Sequence, residues 1–134
     1  MVLIDTSAWV EFLRDTGSPA CERVDALLGG EFATCGPVRM EVLAGARGET
    51  HLRQLHGLLA RGAVIETVPA DFDTAATRYR RCRQGGDTVR RMVDCLIAAH
   101  AIREDLTVLH ADRDFAALAR HTPLVVEDGS DLDR

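Results

Sequence analysis

Apolar residues open the chain and stop abruptly: Met1-Val-Leu-Ile meets the polar Asp5, which predicts a short buried strand over 1–5. A helix follows with Trp9, Val10, Phe12 and Leu13 on one face, and Thr6 or Ser7 is placed to cap it. Gly17-Ser-Pro breaks that pattern, and Ser18 before Pro19 marks a new helix start. The second helix runs to about Leu28, where Gly29-Gly30 ends it. Residues 31–35 read as a second strand, and Gly36-Pro37 opens a third helix carrying Met40, Glu41 and Leu43. From about 48 to 61, Leu52, Leu55, Leu58 and Leu59 recur at the spacing of a helix core face.

The second half repeats the alternation. Residues 63–68 are β-rich and stop at Pro69, a third strand. Residues 70–83 are helical up to Gly85-Gly86. Residues 91–103 form a helix whose nearly continuous run Cys95-Leu-Ile-Ala-Ala predicts burial on most sides. Residues 106–110 are a fourth strand, 113–120 a short helix and 124–126 a fifth strand. From about 127 the chain is acidic and polar and reads as a frayed tail.

Short strands alternating with helices predict an α/β domain with a mostly parallel sheet covered by helices on both faces. No repeat or linker divides the 134 residues, so 1–134 is expected to be one domain. In such folds the functional site lies beyond the carboxyl ends of the strands. Asp5 ends the first strand and Asp112 follows the fourth, so the two carboxylates converge if those strands are neighbours. Asp94 lies near the start of the most apolar helix, and Glu41 interrupts the apolar third one. Each acid alone also fits a cap, a helix-dipole contact or a solvated surface position. Together they are harder to dismiss, because carboxylates buried without partners cost several kcal/mol. A hard divalent cation resolves the conflict.

Composition narrows the chemistry by exclusion. All 16 basic residues are arginine, so mechanisms that need a lysine are out, including Walker-A ATPases, Schiff-base enzymes and receiver domains. The 4 cysteines (21, 35, 82, 95) form no CxxC pair and have no histidine at zinc spacing; they read as small buried residues of a reduced protein. With oxygen ligands and no Cys/His set, Mg²⁺ is the expected ion and Mn²⁺ its substitute. Such a site suits phosphodiester hydrolysis, by polarising a phosphoryl oxygen and lowering the pKa of a bound water. Thr6 and Ser7 are then supporting groups, not nucleophiles. The net charge of −5 argues against a non-specific nucleic-acid coat but not against a nuclease. No apolar run approaches the ~18 residues of a membrane span, and the first residues lack the basic start of a secretory leader. A cytoplasmic protein is the expectation.

At this point the residues resemble the PIN-domain family, and within it the VapC-type ribonuclease toxins. The matching stretches are Leu3-Ile-Asp-Thr-Ser-Ala-Trp, Glu41-Val-Leu-Ala-Gly, Thr88-Val-Arg with Asp94-Cys-Leu-Ile-Ala-Ala, and Asp112-Arg-Asp-Phe. Each is weak alone, but they fall in the family's order and cover nearly the whole chain. The resemblance implies a PIN fold with five parallel strands, Mg²⁺-dependent endoribonuclease activity, a homodimer, and inhibition by a cognate VapB-type antitoxin. It assigns Asp5 and Asp94 as principal metal ligands, with Glu41 and Asp112 completing the quartet and Asp114 as an outer member. One departure is His110, two residues before Asp112, where many relatives carry a small hydroxyl residue.

Two further patterns bear on partners. Arg78, Arg80, Arg81, Arg83, Arg90 and Arg91 cluster around Gly85-Gly86. They read as a solvated helix face or, for Arg90 and Arg91, as contacts to RNA phosphates beside the acids. Trp9, Phe12 and Leu13 form a stripe that suits core packing or, alternatively, an antitoxin groove. The competing readings are a catalytically silent PIN-fold binding module, a DNA-directed PIN nuclease, and a haloacid-dehalogenase-like phosphatase. The last needs a second aspartate where Ser7 stands, and usually a lysine.

Overall fold

The computed structural model describes residues 1–130. Within them the order is β1 (Val2–Ile4), α1 (Thr6–Leu13), α2 (Pro19–Leu28), β2 (Ala33–Cys35), α3 (Gly36–Ala44) and α4 (Glu49–Leu59). Then come β3 (Ala63–Ile65), α5 (Pro69–Gln84), α6 (Met92–Glu104), β4 (Thr107–His110), α7 (Arg113–His121) and β5 (Val125–Asp128). The strands form one sheet in the order β3-β2-β1-β4-β5, and every neighbouring pair is parallel. The α/β expectation therefore holds, with the sheet wholly parallel.

The topology explains where a site can form. From β1 the chain crosses to β2 and β3 on one side, and from β3 it returns to β4 and β5 on the other. The right-handed crossover rule then puts α1–α4 on one face and α5–α7 on the opposite one. The helices pack accordingly, α1 on α2 and α3, and α5 on α6 and α7. The direction of winding changes between β1 and β4, which pair directly in the register Ile4 to Leu109. This switch point opens a crevice at the carboxyl ends of those two strands.

Local signals set most boundaries. Ser18 caps α2 by accepting from the Cys21 N–H, with Pro19 at its first position. Gly86 adopts φ +94 just after α5, a conformation that costs glycine little. The core between the layers includes Leu3, Ile4, Trp9, Phe32, Ile97, Leu109, Phe115 and Leu118. Trp9 meets Phe32 edge-on at 5.8 Å, so the stripe on α1 is mainly core. All four cysteines are buried free thiols, as read from the sequence.

Three expectations need correction. The cap of α1 is Asp5, not Thr6 or Ser7, because its Oδ2 accepts from the Ser7 N–H at 2.9 Å. β3 ends at Ile65 and not at Val68: the Val68 N–H donates to Asp71 Oδ2, which commits that stretch to starting α5. The tail does not fray from 127. Glu127 and Asp128 belong to β5, and Gly129 donates to the His110 carbonyl (2.7 Å) while accepting from the Ala20 N–H (2.9 Å). The rest of that tail, 131–134, lies outside the described residues.

Candidate metal centre

Two strand ends deliver the first acids to the crevice. Asp5 leaves β1 with 2% exposure, and its N–H is fixed by the Leu109 carbonyl at 2.9 Å. Its Oδ2 accepts from both the N–H and the hydroxyl of Ser7 (2.9 and 2.6 Å). The Ser7 hydroxyl also accepts from the Ala111 N–H at 2.9 Å, so one side chain ties the end of β1 to the loop after β4. Thr6 donates to Glu41 Oε1 at 2.9 Å. Both hydroxyls therefore support carboxylates, as expected of groups that are not nucleophiles.

Asp112 follows β4 as the N-cap of α7, its Oδ1 accepting from the Asp114 N–H at 2.9 Å. Asp94 sits in the first turn of α6 at 1% exposure, and Asp114 in the first turn of α7 at 3%. Asp94, Asp112 and Asp114 each present an oxygen within 4.8 Å of the others. Asp5 and Glu41 stand outside that tight trio, yet Asp5 is close enough to raise the Asp94 carboxyl.

The electrostatics are those of a crowded acidic pocket. Asp94 is pushed up to about 8, by burial first and then by the negative charge of Asp5, against the pull of Arg91. Burial likewise raises Asp5, partly offset by the two Ser7 bonds. Asp5 Oδ1 and Asp94 Oδ2 are buried and have no hydrogen-bond partner. Other buried polar atoms also lack partners, Trp9 Nε1, Thr34 Oγ1, Arg78 Nε and His110 Nε2 among them, but these two are the carboxylate oxygens, for which the cost of burial is highest. A hard cation with oxygen ligands satisfies both, so the residues present fit a divalent metal.

Two consecutive arginines staple the acids from outside. Arg91 Nη2 donates to Glu41 Oε2 (2.7 Å) and to Asp94 Oδ1 (3.2 Å). Arg90 holds Asp114 through its backbone N–H and Nε (both 3.2 Å) and Asp112 through Nη2 (3.0 Å). This contact was not legible beforehand, since the partners are 22–50 residues away except for Asp94. Arg80, Arg81 and Arg83 are exposed on α5, and none of them forms an ion pair among the described residues.

His110 is buried on β4 and packs against Phe115 with ring centres 5.4 Å apart. Its Nδ1 accepts from the Asp112 N–H at 3.1 Å, and burial lowers its pKa. The ring thus braces the Asp112 loop, a task a short hydroxyl side chain could also perform.

A second ionic cluster lies apart from these acids. Asp71, at the start of α5, accepts from Arg103 Nε and Nη2 (3.0 and 3.1 Å) and from the Val68 N–H. His100 on α6 spans Thr67 (2.7 Å) and the Leu96 carbonyl (2.7 Å). These bonds form a pin between the β3–α5 connection and α6. The pairing of Pro69 with Asp71 at a helix start was its only signal in the sequence.

The PIN domain family model matches residues 2–121. Ribonuclease VapC11 of Mycobacterium tuberculosis is 46% identical over 130 residues, covering 92% of this chain and 96% of the relative. Among solved structures, FitAcB from Neisseria gonorrhoeae superposes with a TM-score of 0.75 at 20% identity, over 96% of this chain and 98% of that one. VapBC2 from Rickettsia felis, bound to a DNA fragment from its promoter, has a TM-score of 0.71 at 20% identity, over 96% and 98%.

Proposed function

The chain belongs to the PIN-domain family, and on that premise we propose that it is a metal-dependent endoribonuclease, the VapC-type toxin of a toxin–antitoxin pair. The ribonuclease relative at 46% identity over 92% of the chain supports the activity. The observation that carries the mechanism is the pair of unpartnered buried carboxylate oxygens, Asp5 Oδ1 and Asp94 Oδ2, on two acids close enough for the charge of Asp5 to raise Asp94. A silent binding module would bear their electrostatic cost for nothing. Ser7 occupies the position where a dehalogenase-like phosphatase needs an acid, and it is engaged with Asp5 and Ala111.

Asp5 and Asp94 would hold Mg²⁺, or Mn²⁺ in its place, with Glu41 and Asp112 completing the set. Asp112 Oδ1 is engaged by Arg90 and the Asp114 N–H, which leaves Oδ2 for the centre. Both Asp114 oxygens are taken by Arg90, so Asp114 would act by holding that arginine. When bound, the ion supplies Lewis acidity at a phosphoryl oxygen and an acidified water. The chain's own part is to hold the acids aligned; burial raises Asp5 and Asp94, so their ionisation would come with the cation. Ser7 orients Asp5, Thr6 orients Glu41, and His110 braces the loop of Asp112. Arg91 now neutralises Glu41 and Asp94, a duty the cation would take over, leaving the guanidinium for an RNA phosphate. Arg90 would flank the same strand.

The antitoxin has a candidate seat. A groove of about 350 Å³ runs between α1, α3 and α4, floored by Val10, Leu13, Val42 and Leu55 and ending at Thr6 and Glu41. An amphipathic antitoxin segment laid there would reach the acids, and the structural neighbours include toxin–antitoxin complexes. A homodimer is part of the same reading. Met40 and Phe72, 62% and 59% exposed, flank a hollow with Pro37, Val68 and Leu96 that a second copy would cover.

The test is incubation of the purified protein with RNA in Mg²⁺ or EDTA, beside Asp5→Ala and Asp94→Ala. Cleavage should require Mg²⁺ and be lost in both variants. Cleavage that survives both substitutions sinks the mechanism.

A further inference from the structure

A second polar pocket adjoins the acidic crevice on the side away from the apolar groove. It lies between the α5–α6 connection and α7, has a volume of about 330 Å³, and is lined by Thr88, Arg90, Arg113, Arg120 and the acids Asp87 and Asp114. Arg90 links the two: it lines the second pocket and its Nη2 reaches Asp112, which lines the acidic crevice, at 3.0 Å. Anything held in the second pocket is therefore next to anything held at the metal centre.

The charges in this pocket are arranged for an anion. Asp114 is consumed by Arg90, and Asp87 is consumed by Arg120 (3.0 Å) and His121 (2.8 Å). Those acids fix two guanidinium groups without using them up. Arg90 and Arg120 each donate through Nε and Nη2, and their Nη1 groups have no protein partner among the described residues. Arg113, exposed at the start of α7, forms no ion pair among the described residues. Three arginines and Thr88 thus line one hollow whose two acids are already paired; Arg90 also carries Asp112, so the uncommitted charge is that of Arg113. A planar fork held in advance loses less freedom on meeting a phosphate than a free surface arginine does. The walls contributed by Ala116 and Ala117 carry no aromatic ring, so a base would find no stacking platform there.

We propose that this pocket is a phosphate subsite that holds the RNA backbone beside the bond being cleaved, with Arg113 as its principal free cation and Arg90 and Arg120 as its fixed walls. The proposal rests on the ribonuclease reading above and adds the direction of the strand: from the acidic crevice over α7, away from the apolar groove.

The test measures binding of a fluorescently labelled RNA oligonucleotide by anisotropy, with Ca²⁺ replacing Mg²⁺, for the wild type, Arg113→Ala, Arg113→Glu and Arg53→Glu. Arg53 is an exposed arginine on α4, on the opposite face, and controls for net charge. Circular dichroism checks that each variant is folded. Arg113→Ala should weaken binding about 3- to 5-fold and lower the slope of log Kd against log salt by about 0.7, the value for one phosphate contact on a single strand. Arg113→Glu should weaken it at least ~10-fold, while Arg53→Glu leaves it within about 2-fold. Equal weakening by Arg113→Glu and Arg53→Glu overturns the proposal, as does an unchanged salt slope in Arg113→Ala. If the wild type cleaves RNA with Mg²⁺ yet Arg113 variants bind normally, the subsite fails and the ribonuclease reading stands. If the wild type neither binds nor cleaves RNA, both fall.

Discussion

Replacing Asp94 by asparagine should make the metal-free protein more stable while destroying its activity. Asp94 is 1% exposed and has one oxygen without a partner. Its carboxyl is pushed from 3.8 up to about 8, first by burial and then by Asp5. Between those values the unfolded chain has released a proton that the folded chain still holds, so stability falls as pH rises through that window. At about 1.36 kcal/mol per unit, the climb from 3.8 to neutral pH has an upper bound of roughly 4 kcal/mol. Asp94→Asn removes that penalty but also weakens the Arg91 contact at 3.2 Å, so the expected net gain is about 1–3 kcal/mol. For a domain of this size that is on the order of 3–10 °C in Tm. The assay is thermal unfolding in EDTA at pH 5 and pH 8, followed by RNA cleavage in Mg²⁺. The variant should melt above the wild type at pH 8, the gap should shrink at pH 5, and cleavage should fall at least ~100-fold. In the wild type, stabilisation by Mg²⁺ should grow with pH, because the ion binds the ionised carboxylate. A variant that melts below the wild type in EDTA at pH 8, or keeps the same pH slope, refutes the reasoning.

Other perturbations separate the roles assigned to neighbouring residues. Arg91→Ala removes the cation that sits on Glu41 and Asp94, so calorimetry should show Mn²⁺ binding tighten about 2- to 5-fold while RNA binding weakens. Asp71→Ala removes the acceptor of the Val68 N–H and of Arg103 Nε, leaving Arg103 only the Glu66 carbonyl and Glu104, and should cost about 2–4 kcal/mol in urea unfolding. Burial raises Asp71, but its bonds to Arg103 and Val68 and the nearby His100 outweigh that and lower its pKa. Its share of stability is therefore present above the unfolded value of 3.8 and lost as pH falls below it, the opposite slope to Asp94. Leu13→Asp puts a charge on the floor of the apolar groove and should abolish co-purification with the antitoxin while leaving RNA cleavage intact.

What could be read from the sequence was local. Ser18-Pro19 and Gly36-Pro37 start helices through their own backbone limits, and the structure starts α2 and α3 there. The convergence of Asp5 with Asp112 followed from one conditional, the adjacency of the first and fourth strands, which the β1/β4 pairing satisfies. What stayed hidden depends on partners distant in the chain. Arg91 reaches Glu41 across 50 positions, and Asp71 reaches Arg103 across 32. The edge strand β5 carries Glu127 and Asp128, polar residues that read as tail. Only their pairing with Leu109 and His110 makes them strand. Asp5 caps α1 although two hydroxyls follow it, because those hydroxyls are committed to Glu41 and to Asp5 itself.

The central claim is that Asp5 and Asp94 share a divalent cation in the crevice between β1 and β4. Anomalous diffraction from crystals grown with Mn²⁺ tests it directly. The expected result is a peak in contact with Asp5 Oδ1 and Asp94 Oδ2, the two buried carboxylate oxygens without a partner among the described residues, with Arg91 withdrawn from Asp94. A crevice without such a peak, or an ion held by Asp112 and Asp114 with Asp5 and Asp94 unligated, contradicts it.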